Sequence, residues 1–114
     1  MNIDQLLEKI RRTPESVEFG EVMRVINEYY QYTPTRFVNG TIVNEAGENE
    51  GSCKIFAFAG MHDLDREQTL ACFGAYYRDD VLKQPKALDH QNIRAFMESG
   101  WDGVVIEKSV LCPK

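Results

Sequence analysis

The chain has 114 residues, of which 43% are hydrophobic and 27% charged, a composition typical of a globular domain rather than a disordered segment. We therefore expect a single domain over residues 1–114. The net charge is −5, from 13 basic and 18 acidic side chains, and the basic residues form no cluster. This charge balance argues against nucleic acid or an anionic membrane as the main partner.

The three cysteines, Cys53, Cys72 and Cys112, form no C-x-x-C motif and no paired Cys/His spacing. An odd number of separated cysteines favours a reducing compartment over a disulfide scaffold, and the lack of ligand spacing argues against structural zinc. No apolar run is long enough to cross a bilayer. We therefore predict no metal, no cofactor and no membrane span.

The first third of the chain predicts two amphipathic helices. The first covers residues 3–12, because Ile3, Leu6, Leu7 and Ile10 recur at helical spacing. Thr13-Pro14-Glu15 is typical of a helix start. The second helix is expected to end before Thr33-Pro34, because the residue that precedes a proline is disfavoured in a helix.

In residues 35–43 the pattern of apolar residues changes from helical spacing to the alternation typical of β-strands. Asn39-Gly40 separates two short apolar stretches, which is a strong signal for a hairpin with a tight turn. A further short strand near residues 103–107 is expected to pair with this hairpin. The sequence therefore predicts a small antiparallel sheet.

The second half of the chain predicts three more helices. Ile55–Ala59 is apolar on all sides, which favours a buried central helix, although a buried strand fits the same run. A capping box at Asp65 and Gln68 opens the next helix, which is expected to end near residues 78–80. Asp89 is suited to cap the last helix, and Gly100 to end it. The predicted fold is α+β and helix-dominated, with about five helices.

Several segments, taken together, resemble the HopJ type III effector family: Asn39-Gly40, NEAGENEGSCKIFAFA at 44–59, TLACFG at 69–74, YYRDDVL at 76–82, DHQNIRAFM at 89–97 and Gly100-Trp101. The resemblance covers roughly residues 36–106, and the order and spacing of the motifs are specific. It implies a small bacterial protein, in a family named for members that a type III secretion system delivers into plant cells. It implies no known activity, cofactor or mechanism.

Two locations stay open for this chain. Type III substrates usually begin with a polar, Ser-rich leader, whereas here the helical pattern starts at Ile3 and the first serine is Ser16. We therefore expect either an intracellular housekeeping role in the bacterial cytoplasm or secretion into host cells. The partner implied is an unidentified protein, which is a host target if the chain is exported.

Cys53 is the first candidate for catalysis. A helix that begins near Ser52 would place this thiol in its first turn, where free N–H groups and the helix dipole favour a thiolate. The chain offers His62 or His90 as the base, and Asn49, Asn92 or Asp89 as an orienting group. A small, buried and inert cysteine fits the same position.

The histidines and the loop at 44–52 supply further candidates. The pairs His62-Asp63 and Asp89-His90 could hold a divalent metal with loop glutamates, but structural roles at helix ends are favoured because no known ligand spacing is present. Side chains of the loop are expected to bond the loop itself and to cap the helix that follows. Three glutamates disfavour a phosphate loop.

Arg78, which follows two tyrosines, could recognise a carboxylate or phosphate, although pairing with Asp79, Asp80 or another helix is favoured. Trp101 is a candidate surface anchor. The full set of candidate binding residues is Asn44, Glu48, Asn49, Glu50, Ser52, Arg78, Asp89 and Trp101.

Two classes of function follow from these patterns. The first, which we favour, is a non-catalytic binding module, because no convincing catalytic spacing is present. The alternative is a small thiol or acid–base enzyme centred on Cys53, with His62 or His90 as its base.

Overall fold

A computed structural model describes all of residues 1–114, and helices make up most of its regular structure. The five α-helices are α1 Ile3–Arg12, α2 Phe19–Tyr29, α3 Glu50–Met61, α4 Arg66–Ala71 and α5 Gln91–Ser99. A π-helix covers Tyr76–Val81, and 3₁₀ turns cover Pro14–Ser16 and Gly100–Gly103. The predicted helix-dominated α+β class is confirmed.

Five short strands form two separate antiparallel sheets. The strands are β1 Tyr30–Tyr32, β2 Phe37–Asn39, β3 Ile42–Asn44, β4 Val104–Ile106 and β5 Leu111–Pro113. The three-stranded sheet has the order β3-β2-β4, and β1 pairs with β5 in the other. The hairpin and its pairing with a strand near residues 103–107 are therefore confirmed. The β1–β5 sheet was not predicted, since strands of three residues show too little alternation to be detected.

The core surrounds α3, which confirms the prediction of a buried central helix. Side chains on all sides of α3 are buried, among them Ile55, Phe56 and Phe58. Phe56 lies at the centre of an aromatic cluster, with ring centroids 5.0 Å from Phe96 and 5.8 Å from Phe73. α3 thus packs against both sheets, through β5 and through Phe37 of β2, and against α2, α4 and α5.

Two helix starts differ from the predictions. Thr13-Pro14-Glu15 forms only a 3₁₀ turn, and α2 begins at Phe19 behind a capping box between Glu18 and Glu21. Asp89 does not cap α5, because its carboxylate accepts a hydrogen bond from Arg94 at 2.8 Å. His90 occupies the N-cap position instead.

The helix opened by Asp65 ends at Ala71, earlier than predicted, and the chain then turns at Gly74. Gly74 has φ +59°, a left-handed conformation, and a Cβ on it would lie 2.7 Å from the backbone nitrogen of Phe19. Glycine is the residue that permits both this backbone conformation and this close approach. The turn brings Tyr76 beside Phe19, with ring centroids 5.1 Å apart.

Candidate functional site

A cleft of about 580 Å³ opens where the first turns of α2, α3 and α5 meet, and we call it the His90 cleft. Its apolar wall is formed by Phe19, Ile42, Phe73, Tyr76 and Ile93. Its polar side is formed by Asn49, Gly51, Ser52, His90, Gln91 and Asn92. The structure thus brings together four of the sequence-predicted site residues, namely Asn49, Ser52, His90 and Asn92.

Left-handed backbone occurs at two residues of the cleft. Asn49 has φ 49° and ψ 49°, and His90 has φ 51° and ψ 48°. The only other non-glycine residue with positive φ is Asp63. Such conformations are costly for residues with a Cβ and cluster at functional sites, so their location supports the cleft as a site.

Both left-handed residues precede a helix that lacks a side-chain cap. α1, α2 and α4 begin with capping boxes, whereas the side chain of neither Asn49 nor His90 caps its helix. The first free N–H groups of each helix, those of Gly51 and Ser52 on α3 and of Gln91 and Asn92 on α5, therefore have no partner within the fold. These donors lie next to the cleft.

His90 is held in place by the π-helix. Its Nε2 lies 3.0 Å from Oδ2 of Asp80, and its ring lies over Tyr76 with centroids 5.2 Å apart. Tyr76 and Asp80 both belong to the π-helix, a rare element that often occurs at functional sites. The imidazole is thus oriented by a carboxylate on one side and by an aromatic ring on its face.

A network of asparagine amides lies beneath the polar side of the cleft. Asn92 donates to Asn44 Oδ1 at 2.9 Å, and Asn49 donates to the same oxygen at 2.7 Å. Asn39 donates to the backbone oxygen of Asn92 at 2.8 Å. Asn39, Asn44 and Asn92 are buried, so the network fixes α5 and the loop before α3 onto the hairpin.

The charged groups near the cleft are paired with one another. Asp80 bonds His90, and Asp89 bonds Arg94 at 2.8 Å, a hydrogen bond that lowers the pKa of the Asp89 carboxyl. Glu50 lies in the first turn of α3, where it offsets the partial positive charge of the helix end. No carboxylate, lysine or arginine lines the cleft itself.

Cys53 lies outside the cleft and differs from the expected thiolate. It is fully buried, and its thiol points to the backbone oxygen of Thr35 at 3.8 Å. Burial raises the pKa of the thiol, which is opposite to the shift expected in the first turn of a helix. α3 begins at Glu50 rather than Ser52, so Cys53 faces the core, and its catalytic role stays a prediction.

His62 ends α3 on another part of the molecule, as expected for an imidazole at a helix end. Its Nε2 shares a hydrogen bond of 2.9 Å with the hydroxyl of Tyr30, and its ring packs on Phe58. Burial lowers the pKa of this imidazole, with a further contribution from Arg11. No hydrogen bond joins His62 or His90 to Cys53.

Arg78 and Trp101 both make structural contacts. The guanidinium of Arg78 donates to the backbone oxygens of Val17 at 2.7 Å and Pro14 at 3.3 Å, so of the favoured alternatives it is the contact with another helix, the 3₁₀ turn Pro14–Ser16, that is present rather than pairing with Asp79 or Asp80. Trp101 is half-buried against the core, and its Nε1 donates to the backbone oxygen of Leu64 at 3.0 Å. It therefore supports the core rather than projecting as a surface anchor.

The loop residues have mixed roles. Glu48 accepts a hydrogen bond from the backbone nitrogen of Glu45 at 2.8 Å, which stabilises the loop as expected. Asn49 and Asn44 bond each other but do not cap α3. No group of three or more His, Cys, Asp or Glu side chains is arranged to hold a metal ion, and no helix is both long and apolar enough to span a bilayer.

Sequence reasoning missed Asn39, Gln91 and the role of Asp80. Asn39 was interpreted only as a turn residue, although it is buried and bonded to Asn92, 53 positions away. No local pattern reveals such a pairing. The only usable signal was the several asparagines in polar segments around predicted helix starts.

Comparison with known proteins gives a consistent assignment. The family model described as HopJ type III effector protein matches residues 3–111. The chain is also similar to a solved structure, the crystal structure of unknown function protein VPA0580, with 51% sequence identity and a TM-score of 0.98. That similarity covers 100% of this chain and 95% of the other. No curated protein matches the chain significantly.

Proposed function

Since this chain belongs to the HopJ type III effector protein family, we propose that it is a non-catalytic binding module that engages a partner protein through the His90 cleft. The observation that carries the proposal is the cleft itself, where unpaired hydrogen-bonding groups stand opposite an apolar wall. A concave site with a few convergent polar groups is the usual form of a recognition site. If the chain is exported, the partner is a host protein.

Burial and charge also favour binding over thiol chemistry. A nucleophilic cysteine requires a stabilised thiolate and a base in contact. Cys53 has neither, because its pKa is raised and its hydrogen bond goes to a backbone carbonyl. The proposed activity therefore lies in the cleft and does not involve the buried thiol of Cys53.

One observation favours a second candidate, an acid–base enzyme that uses His90. Ser52 and His90 line the same cleft, and Asp80 orients the imidazole. A hydroxyl, an imidazole and a carboxylate are the components of serine-dependent acyl transfer. This candidate ranks second because no hydrogen bond joins Ser52 to His90.

The two candidates can be separated by photocrosslinking. Benzoylphenylalanine in place of Tyr76, an exposed aromatic residue of the cleft wall, is expected to give one discrete protein adduct in host extract, whereas the same residue in place of Gln31 on the exposed face of β1 gives none. Ser52→Tyr, which fills the cleft, abolishes the adduct. Cys53→Ala, a change in the core outside the cleft, retains it.

Adducts that form equally from Gln31, or that survive Ser52→Tyr in a folded protein, contradict the proposal. If the adduct accumulates only in the His90→Gln variant, it represents a trapped substrate, and the acid–base enzyme is favoured instead. Export is tested separately, by fusing the chain to a calmodulin-dependent adenylate cyclase and measuring cyclic AMP in host cells with and without a working type III apparatus.

A further inference from the structure

We propose that the His90 cleft recognises an uncharged amide group next to an aliphatic side chain, as in a short neutral segment of a polypeptide. This inference rests on the proposed function and specifies the chemistry of its ligand. It follows from three properties of the cleft: its unpaired donors, its unpaired acceptors and its lack of charge.

The unpaired groups match both halves of an amide. The backbone N–H groups of Gly51, Ser52 and Gln91 have no partner within the fold and suit a carbonyl oxygen. The side-chain oxygens of Asn49 and Gln91 accept no hydrogen bond and suit an N–H group. Because an unmet polar group in a desolvated site is costly, a ligand that supplies both a donor and an acceptor is favoured over one that supplies only acceptors.

The charge distribution of the cleft disfavours a charged ligand relative to a neutral one. The cleft is lined by no lysine, arginine or carboxylate, so a charged group would lose its hydration without gaining a counter-charge. The helix ends favour anions weakly, but Glu50 lies in the first turn of α3, and Asp80 and Asp89 lie beside the start of α5. These carboxylates offset that preference.

The apolar wall defines the second part of the ligand. Ile42 and Ile93 are aliphatic, and Phe73 contributes a largely buried ring. Tyr76 is 44% exposed, but its ring is already partnered by His90, with centroids 5.2 Å apart, and by Phe19 in a T-shaped arrangement. A branched aliphatic side chain fits this wall better than a sugar ring does.

The experiment uses four small probes added to the isotopically labelled protein and followed by two-dimensional NMR. Three share one side chain: N-acetyl-leucinamide is neutral, N-acetyl-leucine is anionic and leucinamide is cationic at pH 7. The fourth is methyl glucoside. We expect N-acetyl-leucinamide to shift the amide resonances of Gly51, Ser52, Gln91 and Asn92 with a millimolar dissociation constant, and the other probes to bind at least threefold more weakly.

Matched variants assign the binding to the cleft. Ser52→Tyr, which fills the cleft, and Gln91→Ala, which removes an acceptor, are expected to weaken N-acetyl-leucinamide at least threefold while their spectra stay dispersed, and Gln31→Ala, on the exposed face of β1, leaves it unchanged. Tighter binding of the anion, the cation or the glucoside overturns the proposed ligand class. The absence of any shift at these residues up to the solubility limit also overturns it. If these outcomes fail, the crosslinking from position 76 remains an independent measure of partner binding.

Discussion

Asn92 and Asn44 exchange two side-chain hydrogen bonds across the base of the His90 cleft. The amide nitrogen of Asn92 donates to Asn44 Oδ1 at 2.9 Å, and that of Asn44 donates to Asn92 Oδ1 at 3.1 Å. The first residue lies in the opening turn of α5, and the second ends β3. Both side chains are buried. The pair therefore fixes the start of α5, on the polar side of the cleft, to the hairpin beneath it.

Replacing Asn92 by Ala is therefore expected to destabilise the fold. The change removes the acceptor that Asn92 Oδ1 offers to the buried side-chain nitrogen of Asn44, which keeps only a long contact of 3.5 Å with the backbone oxygen of Phe37. A buried polar group left without a good partner costs about 1–3 kcal/mol, and we expect the free energy of unfolding in urea to fall by about that amount. Asn27→Ala is the control, because the Asn27 side chain accepts only one exposed hydrogen bond, from Lys54. We expect its free energy of unfolding to fall by about 0.5 kcal/mol or less. Equal losses of unfolding free energy in the two variants would contradict a structural role for the network.

The elements that sequence reasoning located are those encoded by local chemistry. The hairpin follows from Asn39-Gly40, because the turn geometry is specified by those two residues. The capping box of Asp65 and Gln68 likewise depends on residues three positions apart, and both of its hydrogen bonds are present.

The features that sequence reasoning missed depend on distant residues. β1 pairs with β5 across some eighty positions, and the left-handed backbone of His90 is imposed by its surroundings. The thiol of Cys53 points into the core because α3 packs on all its sides, a tertiary fact that no local pattern contains. The cleft likewise exists only once α2, α3 and α5 are in contact.

Gly74→Ala and Gly20→Ala are expected to change stability in opposite directions. At Gly74 the backbone has φ +59°, and a Cβ would lie 2.7 Å from the backbone nitrogen of Phe19, so we expect a loss of about 2 kcal/mol or more. At Gly20, inside α2, a Cβ has nothing within 4 Å, so we expect a gain of about 0.5–1 kcal/mol. Thermal unfolding of both variants checks the pair, and a neutral Gly74→Ala would contradict the close contact between the turn and α2.

The fold is expected to lose stability in mild acid partly through His62. Burial lowers the pKa of this imidazole below its ordinary value of 6.5. Its contribution to stability is therefore fully present above pH 6.5 and is lost as the pH falls through the lowered pKa. His62→Gln cannot take up this proton, so its free energy of unfolding should fall less than that of the wild type between pH 7 and pH 5. Parallel declines in the two proteins would show that His62 titrates normally.

The three cysteines are expected to differ sharply in their reaction with iodoacetamide. Cys112 is exposed, whereas Cys53 and Cys72 are buried, and burial raises the pKa of Cys72 to about 12 and also that of Cys53. Since the thiolate is the reacting species, we expect Cys112 to be alkylated first at pH 7 and the other two only after unfolding. Mass spectrometry of digested samples, with a urea-unfolded sample as the control, resolves each site.

The same raised pKa values predict a loss of stability in alkali. A thiol whose pKa is higher in the folded than in the unfolded protein stabilises the fold below its ordinary pKa near 9.0, and this contribution disappears as the pH rises towards 12. Cys72→Ala should therefore flatten the decline in the free energy of unfolding above pH 9, relative to the wild type. Cys112→Ala, at an exposed position, is the matched control and should leave the decline unchanged.

The alkylation experiment also tests the alternative function. Rapid alkylation of Cys53 in the folded protein at mildly acidic pH would indicate a stabilised thiolate, and would favour the thiol enzyme over the binding module.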